Sequence, residues 1–170
     1  MSTPLDLAPE ESRIKALAER ILAELELEAL DLSVTLPAKR YVTVGQAVHD
    51  CEQVAVVAIR LMTGRVDTAT GMGLPGAQDC QPAWSVVFSL ELVRCAPTLA
   101  SSRDGVVAGP LLSAAMDMPS GDSAVIRGAV QRLTSSSNLY NFGNVSCTIN
   151  FPAPSGEMNV TVGTLTIGLP

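Results

Sequence analysis

The clearest pattern of hydrophobic and polar positions lies in residues 52–62 and 84–95, which are dense in Val, Ile, Leu and Phe. In the second stretch every other residue is large and apolar, as in a strand with one face in the core: Trp84, Val86, Phe88, Leu90 and Leu92. The first stretch is apolar on both faces, so we expect it inside a sheet. The pattern predicts two long strands joined by a loop, residues 63–82.

Antiparallel pairing of these strands, with the loop centred near Gly73, places Cys51 opposite Cys95 at the open end of the hairpin. The chain has four cysteines, and in a cytosolic protein the default is four reduced thiols packed as small apolar groups. A disulfide between Cys51 and Cys95 is the alternative. Cys80, in the loop, could also reach this end.

Residues 9–30 carry apolar residues at helical spacing, and acidic residues stand in the first turn, where the helix macrodipole favours them. The apolar positions are Ile14, Leu17, Ala18, Ile21, Leu22 and Leu25. This stripe could pack on the chain's own sheet or on a neighbouring subunit. Residues 1–8 before it are predicted to be a flexible arm.

Short edge strands are predicted at 31–36, which Pro37 ends, and at 40–44. Residues 106–118 are weakly helical in pattern, 119–121 interrupt them, and Asp122 or Ser123 can cap a helix to about residue 135. Two alternating strands follow, and Gly163 in the second predicts a bulge. The order predicts one domain over 1–170, an α+β fold whose mixed or mainly antiparallel sheet has helices packed on one side.

The composition of the chain favours some classes of protein over others. The chain is 47% hydrophobic, with a mean hydropathy of +0.30 and only 16% charged residues, which favours an oligomer. No apolar run is long enough for a membrane span, and we expect no membrane association. The N-terminus lacks a secretory pattern, which predicts synthesis in a cytoplasm. The net charge is −6 with no basic run, so nucleic-acid binding is not expected.

Catalytic patterns are sparse. His49, Asp50, Cys51 and Glu52 are consecutive, and side chains along a strand alternate between faces, so the four cannot converge on one ion. No Gly-x-Ser-x-Gly elbow or phosphate-binding Gly loop occurs. We therefore expect no catalytic residue, no metal and no cofactor. The competing interpretations are a hydrolase using Asp50 and Glu52 on one strand face, and a small-ligand module, which the 4% aromatic content disfavours.

The loop at 63–82 is the candidate interface. A connection this long in a compact domain is usually functional or disordered. It places Met72 and Leu74 at its centre and Arg65 and Asp67 near its start, so these four residues are the predicted contacts with another subunit or a partner.

One part of the sequence resembles small virion proteins of long-tailed phages of actinobacteria. It consists of the segment RYVTVGQAVHDCEQVAVV, a loop that contains a Cys, and the segment FSLELVRCAPT. Shared features are a Val-Gly turn after a strand, Asp-Cys-Glu opening the central strand, Arg-Cys closing its partner, and a final strand pair ending near Pro. The match covers about residues 40–97 well and the C-terminal hairpin loosely. Residues 101–144 depart from the family pattern, because a Gly- and Ser-rich segment stands where the family has a Trp-containing helix.

The resemblance implies a head–tail junction protein of the tail terminator type: a ring, typically hexameric, that caps the tail tube and docks to the head connector in the virion. A head-to-tail stopper or adaptor ring is the alternative. The expected partners are other copies of the chain, the tail-tube protein and the connector or stopper. The genome would pass through the lumen without specific binding, and the negative charge leads us to expect an acidic lumen that repels phosphate.

Overall fold

The computed structural model describes residues 8–48, 50–63, 84–95, 109–135, 145–152 and 158–169. These residues form two helices and five strands, an α+β fold. In chain order the elements are α1 (Ala8–Asp31), β1 (Lys39–Val44), β2 (Gln53–Thr63), β3 (Trp84–Cys95), α2 (Gly109–Ser135), β4 (Val145–Asn150) and β5 (Met158–Leu169). Ala8, which the sequence assigned to the arm, is thus the first residue of α1, and Thr63 ends β2.

The five strands form one sheet in the order β1-β2-β3-β5-β4. β1 runs parallel to β2, and the other three pairings are antiparallel. The mixed, mainly antiparallel sheet predicted from the sequence is therefore confirmed. β1 and β4 are its two edges, as expected for β1, and β2 lies inside the sheet.

The β2–β3 hairpin has the predicted register at its open end, where Gln53 pairs with Val93 and Ala58 with Phe88. A bulge at Ile59 then shifts the register by one residue. Because the bulge adds one residue to β2, Leu61 returns to the same face as Ala58. Strict alternation along residues 52–62, without a bulge, would place Leu61 on the opposite face, with Ala55 and Val57.

Both helices pack on one face of the sheet. The core contains buried residues of α1 and α2 with the alternating strand residues that face them: Leu17, Ile21, Leu25, Ile126, Ala129, Leu133, Val54, Val56, Phe88, Leu90, Leu92, Leu165 and Ile167. The stripe of α1 thus packs within its own chain, which decides between the two alternatives. α1 covers β1 and β2, whereas α2 covers β3, β5 and β4.

The opposite face of the sheet is buried near β2. The loop between β1 and β2 folds onto this face, where its Ala47 packs with Tyr41 of β1 against Ala55 and Val57. The Val48 carbonyl accepts hydrogen bonds from the Tyr41 hydroxyl at 3.1 Å and from Gln53 Nε2 at 2.8 Å. These bonds fix the chain just before Asp50.

The predicted strand at 31–36 is wrong, because this segment is the C-cap of α1. Ser33 has φ 56°, its N–H donates to the Leu30 carbonyl at 3.1 Å, and the Val34 N–H donates to Ala29 at 2.8 Å. This pair of bonds is the Schellman motif, with Ser33 at the left-handed position that Gly usually takes. Val34 then packs against the core. The period of apolar residues does not reveal a cap that lacks Gly.

Pro119 does not interrupt the second helical region, because α2 is continuous from Gly109 to Ser135. A proline inside a helix removes one hydrogen bond and disturbs the preceding turn, but packing of the following turns can hold the helix. Asp122, a predicted cap, is instead buried and paired with Arg94 of β3, while Ser123 Oγ donates to the Ser120 carbonyl at 2.8 Å.

Gly163 is not at a bulge, since β5 pairs with β3 and β4 without a register shift. A Cβ on Gly163 would lie 2.9 Å from Ile126 Cγ2 and 3.5 Å from Leu90 Cβ. Distances under about 3 Å do not occur between real Cβ atoms and their neighbours, so only Gly lets Ile126 of α2 approach the sheet this closely. Gly163 therefore marks close packing of α2 on β5 and not a bulge.

Candidate functional site

The chemistry-bearing residues that the sequence singled out lie at the open end of the β2–β3 hairpin. Asp50, Cys51 and Glu52 precede β2, and Arg94 and Cys95 end β3. We call these five residues the hairpin-end cluster. His49 and Cys80 lie outside the described residues, as do Arg65, Asp67, Met72 and Leu74, the residues of the predicted interface.

Asp50 and Glu52 do not share a strand face, because neither residue belongs to β2, which begins at Gln53. Glu52 has φ 58°, a left-handed conformation that interrupts the extended backbone of a strand. Asp50 pairs with Lys39 at 3.2 Å, while Glu52 Oε1 accepts a 3.1 Å hydrogen bond from the Cys95 backbone N–H. The two carboxylates of the hydrolase interpretation thus have separate partners.

Arg94 connects the hairpin-end cluster to α2 through a nearly buried ion pair. Its Nη2 lies 2.7 Å from Asp122 Oδ1 and its Nε lies 3.2 Å from Oδ2, so the contact is bidentate. The Asp122 side chain is 1% exposed and the Arg94 side chain 12%. Glu52 Oε2 lies 3.9 Å from Arg94 Nη1 as a second, half-exposed carboxylate. Sequence reasoning missed this pair, because it assigned Asp122 to a helix cap.

Cys51 and Cys95 are brought together as the register predicted. The ladder begins with Gln53 opposite Val93, and Cys51 and Cys95 each lie two residues beyond this pair. The left-handed Glu52 ends the regular ladder, and the two thiols are joined by a hydrogen bond. The structure holds both residues as thiols. A hydrogen bond with the Cys51 side chain, with smaller effects of desolvation and of Glu52 and Asp50, raises the pKa of the Cys95 thiol to about 11. Each of these causes disfavours the thiolate.

A second apolar face lies on the solvent side of α1. Ala16, Ala23, Leu27 and Leu30 recur at helical spacing, opposite the residues that face the core. Leu27 is 47% exposed and Leu30 is 75% exposed. We call these four residues the outer stripe. The sequence analysis did not identify it, although the same helical spacing would have revealed two apolar faces instead of one.

A groove of about 540 Å³ lies between α2 and the edge strand β4. Arg127, Val130 and Gln131 of α2 form one wall with Ser123, and the other wall consists of Cys147, Ile149 and Phe151. Phe151 is 58% exposed, and Arg127 is the charged residue of the lining. We call this feature the α2–β4 groove. No sequence pattern marks it, because it depends on where α2 crosses the sheet.

The side of α1 that faces α2 is acidic and is held by Arg132. Arg132 Nε donates to Glu28 at 2.6 Å, and the same guanidinium pairs with Asp31. The hydrogen bond with Glu28 is the largest of the effects that raise the pKa of Arg132. Gly128 of α2 leaves the space that the Glu28 side chain occupies. This contact fixes the two helices side by side, and so fixes the position of the outer stripe relative to the groove.

Within the described ranges, no three His, Cys, Asp or Glu side chains are grouped closely enough to hold a metal ion. Neither α1 nor α2 has a described stretch apolar and long enough to cross a bilayer. A comparison of the chain with protein-family models gave no match, and a comparison with curated proteins gave none either.

Proposed function

We propose that the chain is a structural virion protein that forms a ring at the head–tail junction of a long-tailed phage, as a tail terminator. The observation that carries the proposal is the presence of two dissimilar apolar surfaces on one chain. The outer stripe lies on α1, which covers the β1–β2 end of the sheet, whereas the α2–β4 groove lies at the β4 end. The resemblance of the hairpin motifs to junction proteins supports the particular assignment.

Two different surfaces that fit one another generate a head-to-tail contact between copies. Such contacts produce a closed ring when the rotation between neighbours closes, and an open filament when it does not. In the proposed contact, Leu27 and Leu30 of one copy enter the α2–β4 groove of the next and pack near Phe151. A contact of one surface with itself would stop at a dimer.

Charge complementarity supports this pairing. Within its 24 residues, α1 carries seven acidic and three basic residues, and Glu19 and Glu26 stand beside the outer stripe. The α2–β4 groove presents Arg127, an exposed cation. Opposite charges at the rim of an apolar contact guide the association and select its register. In the proposed ring, the acidic helix α1 of each copy therefore contacts Arg127 of its neighbour.

The remaining parts of the proposal follow from the terminator assignment. The ring, taken as a hexamer, caps the tail tube on one side and meets the connector or stopper on the other. The net charge of −6 supports a lumen through which the genome passes without specific binding. A head-to-tail stopper or adaptor is the nearest alternative within the same class. No catalytic step is part of the proposal.

The test uses single charged substitutions on the two surfaces. Leu30→Asp changes the outer stripe and Phe151→Asp changes the groove, and both residues are more than half exposed. Val44→Asp is the matched control, because Val44 is 79% exposed and belongs to neither surface. We expect all three variants to melt within a few degrees of the wild type, while only the first two lose assembly, measured by analytical ultracentrifugation and by incorporation into particles.

Mixing the two defective variants tests whether the contact is head-to-tail. The Leu30→Asp chain retains its groove and the Phe151→Asp chain retains its outer stripe, so an equimolar mixture can make one contact per pair. We expect heterodimers and no rings. Equal assembly of Leu30→Asp, Phe151→Asp and wild-type chains would refute the proposed contact.

A small-ligand module is the second candidate, because the groove volume lies within the range of about 300–1,000 Å³ that is usual for ligand pockets. This alternative uses the groove but not the outer stripe. It predicts that Phe151→Asp changes thermal stabilisation by apolar anions such as medium-chain fatty acids, whereas Leu30→Asp has no effect in any assay.

A further inference from the structure

We propose that Cys51 and Cys95 form a modification site, a reversible disulfide that a low-molecular-weight disulfide such as glutathione disulfide generates and that closes the open end of the β2–β3 hairpin. The proposal concerns the redox chemistry of the hairpin-end cluster. It is independent of whether the chain forms a ring.

The positions of the two cysteines supply the geometry. Cys51 and Cys95 each lie two residues beyond the Gln53 and Val93 pair, which is the terminal pair of the β2–β3 ladder. The Cys95 backbone N–H donates to the side chain of Glu52, the residue next to Cys51, at 3.1 Å. The thiol groups are already in contact through a hydrogen bond. A bond between the sulfurs therefore requires little movement of the strands.

The neighbours of the pair hold both strand ends in place. Glu52 Oε1 accepts the Cys95 N–H at 3.1 Å, and this bond spans the two strands beside the sulfurs. Arg94, the residue before Cys95, is fixed to α2 through Asp122. The end of β3 is therefore anchored at Arg94 and at the Cys95 backbone, and the two cysteines stay close in the reduced protein.

The reaction balances with glutathione disulfide as the oxidant. One protein thiolate attacks a sulfur of glutathione disulfide, the bond between the two glutathione sulfurs breaks, and the first glutathione leaves as a thiolate. The second protein thiol then loses its proton and attacks the mixed disulfide, which releases the second glutathione. Two protons and two electrons pass from the cysteines to the two glutathiones, and one disulfide remains in the protein.

The raised pKa of Cys95, about 11, makes attack by this thiol slow at neutral pH, because the thiolate is the attacking form. The rate of that step rises with pH until the thiol ionises, so the oxidation is carried out above neutral pH.

The disulfide would close a loop that contains residues 52–94, including the candidate interface residues Arg65, Asp67, Met72 and Leu74. A cross-link of this kind restricts the unfolded chain and stabilises the folded one. For a chain of this size we expect the melting temperature to rise by about 5 °C or more on oxidation and to fall back on reduction.

The experiment incubates the purified full chain with glutathione disulfide at pH 8.5 and maps disulfides by mass spectrometry of non-reduced peptides. We expect a loss of two hydrogens and a linked Cys51–Cys95 peptide. The rise in melting temperature should disappear in Cys51→Ala and in Cys95→Ala, and it should persist in the control Cys147→Ala. The wild-type result does not depend on whether the variants fold.

Three results would overturn the proposal. The first is a linked peptide that pairs Cys80 with either residue in place of Cys51–Cys95. The second is stable glutathione adducts on both cysteines, which would show that the pair cannot close. The third is a melting temperature that does not change, or falls, when the Cys51–Cys95 bond forms.

Discussion

The Arg94–Asp122 pair offers the sharpest prediction about stability. Asp122→Asn keeps the size of the side chain but removes the charge that balances Arg94, which is only 12% exposed. Removing one partner of a buried ion pair costs about 3–5 kcal/mol, because the other charge stays buried without compensation. Glu52 at 3.9 Å remains near Arg94, and the Asn oxygen still accepts one hydrogen bond. We therefore expect a loss near the lower end, about 3 kcal/mol.

Urea unfolding followed by circular dichroism measures this loss. With a slope of about 2 kcal/mol/M, a loss of about 3 kcal/mol lowers the midpoint by about 1.5 M. Asp50→Asn is the matched control, because it removes the same charge from an exposed ion pair. In that pair the Lys39 side chain is 52% exposed and the Asp50 side chain is 65% exposed. Exposed pairs contribute about 0–1 kcal/mol, so the control should move the midpoint little.

A double variant separates the loss of a charge from the loss of packing. Arg94→Met combined with Asp122→Leu removes both charges and leaves neither unpaired, and such replacements are often neutral or stabilising. We expect it to be at least about 2 kcal/mol more stable than Asp122→Asn alone. If Asp122→Asn were no more costly than Asp50→Asn, the pair would not anchor β3 to α2 and the reasoning would be refuted.

Two further predictions concern glycine packing and the thiol pair. Gly163→Ala should lower the free energy of unfolding by about 1 kcal/mol or more, because its Cβ would lie 2.9 Å from Ile126 Cγ2. The control Gly121→Ala in α2 should raise the free energy of unfolding by about 0.5–1 kcal/mol, because Ala favours a helix more than Gly does. Equal effects of the two substitutions in urea unfolding would contradict the packing argument. Cys51→Ala should speed the alkylation of Cys95 by iodoacetamide at pH 8 by up to about tenfold. The substitution removes the hydrogen bond that contributes most to the raised pKa of Cys95. An unchanged alkylation rate, measured by mass spectrometry, would show that the two thiols do not interact.

The elements that the sequence predicted well are those with uninterrupted periodicity. β3 has the predicted bounds, and the pairing of Gln53 with Val93 has the predicted register, because a period of two determines which residues face the core. The core stripe of α1 is likewise apparent from helical spacing. Local patterns are sufficient wherever one face of an element is buried and the other is not.

The elements that the sequence missed depend on contacts between distant residues. Ser33 caps α1 without the Gly that usually marks this position, and Pro119 stays inside α2 because the helix packs beyond it. Gly163 predicted a bulge, but only the position of Ile126 shows why Gly occupies this position. The same holds for the candidate site, since Arg94 and Asp122 are separated along the chain and meet only when α2 lies on the sheet.

Of the two candidate surfaces, one could be predicted from the sequence and the other could not. Leu27 and Leu30 could have been recognised from their spacing on α1, because a helix with two apolar faces needs only one of them to cover its own sheet. The α2–β4 groove could not have been recognised, because Arg127 and Phe151 line it only after β4 and β5 have paired and α2 has crossed them.

An electron-microscopy map of the intact particle, with this chain located in it, tests whether the chain forms a ring at the head–tail junction. We expect a single ring between the last layer of the tail tube and the connector, in which α1 of each copy contacts the α2–β4 groove of its neighbour. A ring that touches the portal-side adaptor and lies above another ring would identify a stopper instead. Absence of the chain from the particle would contradict the claim.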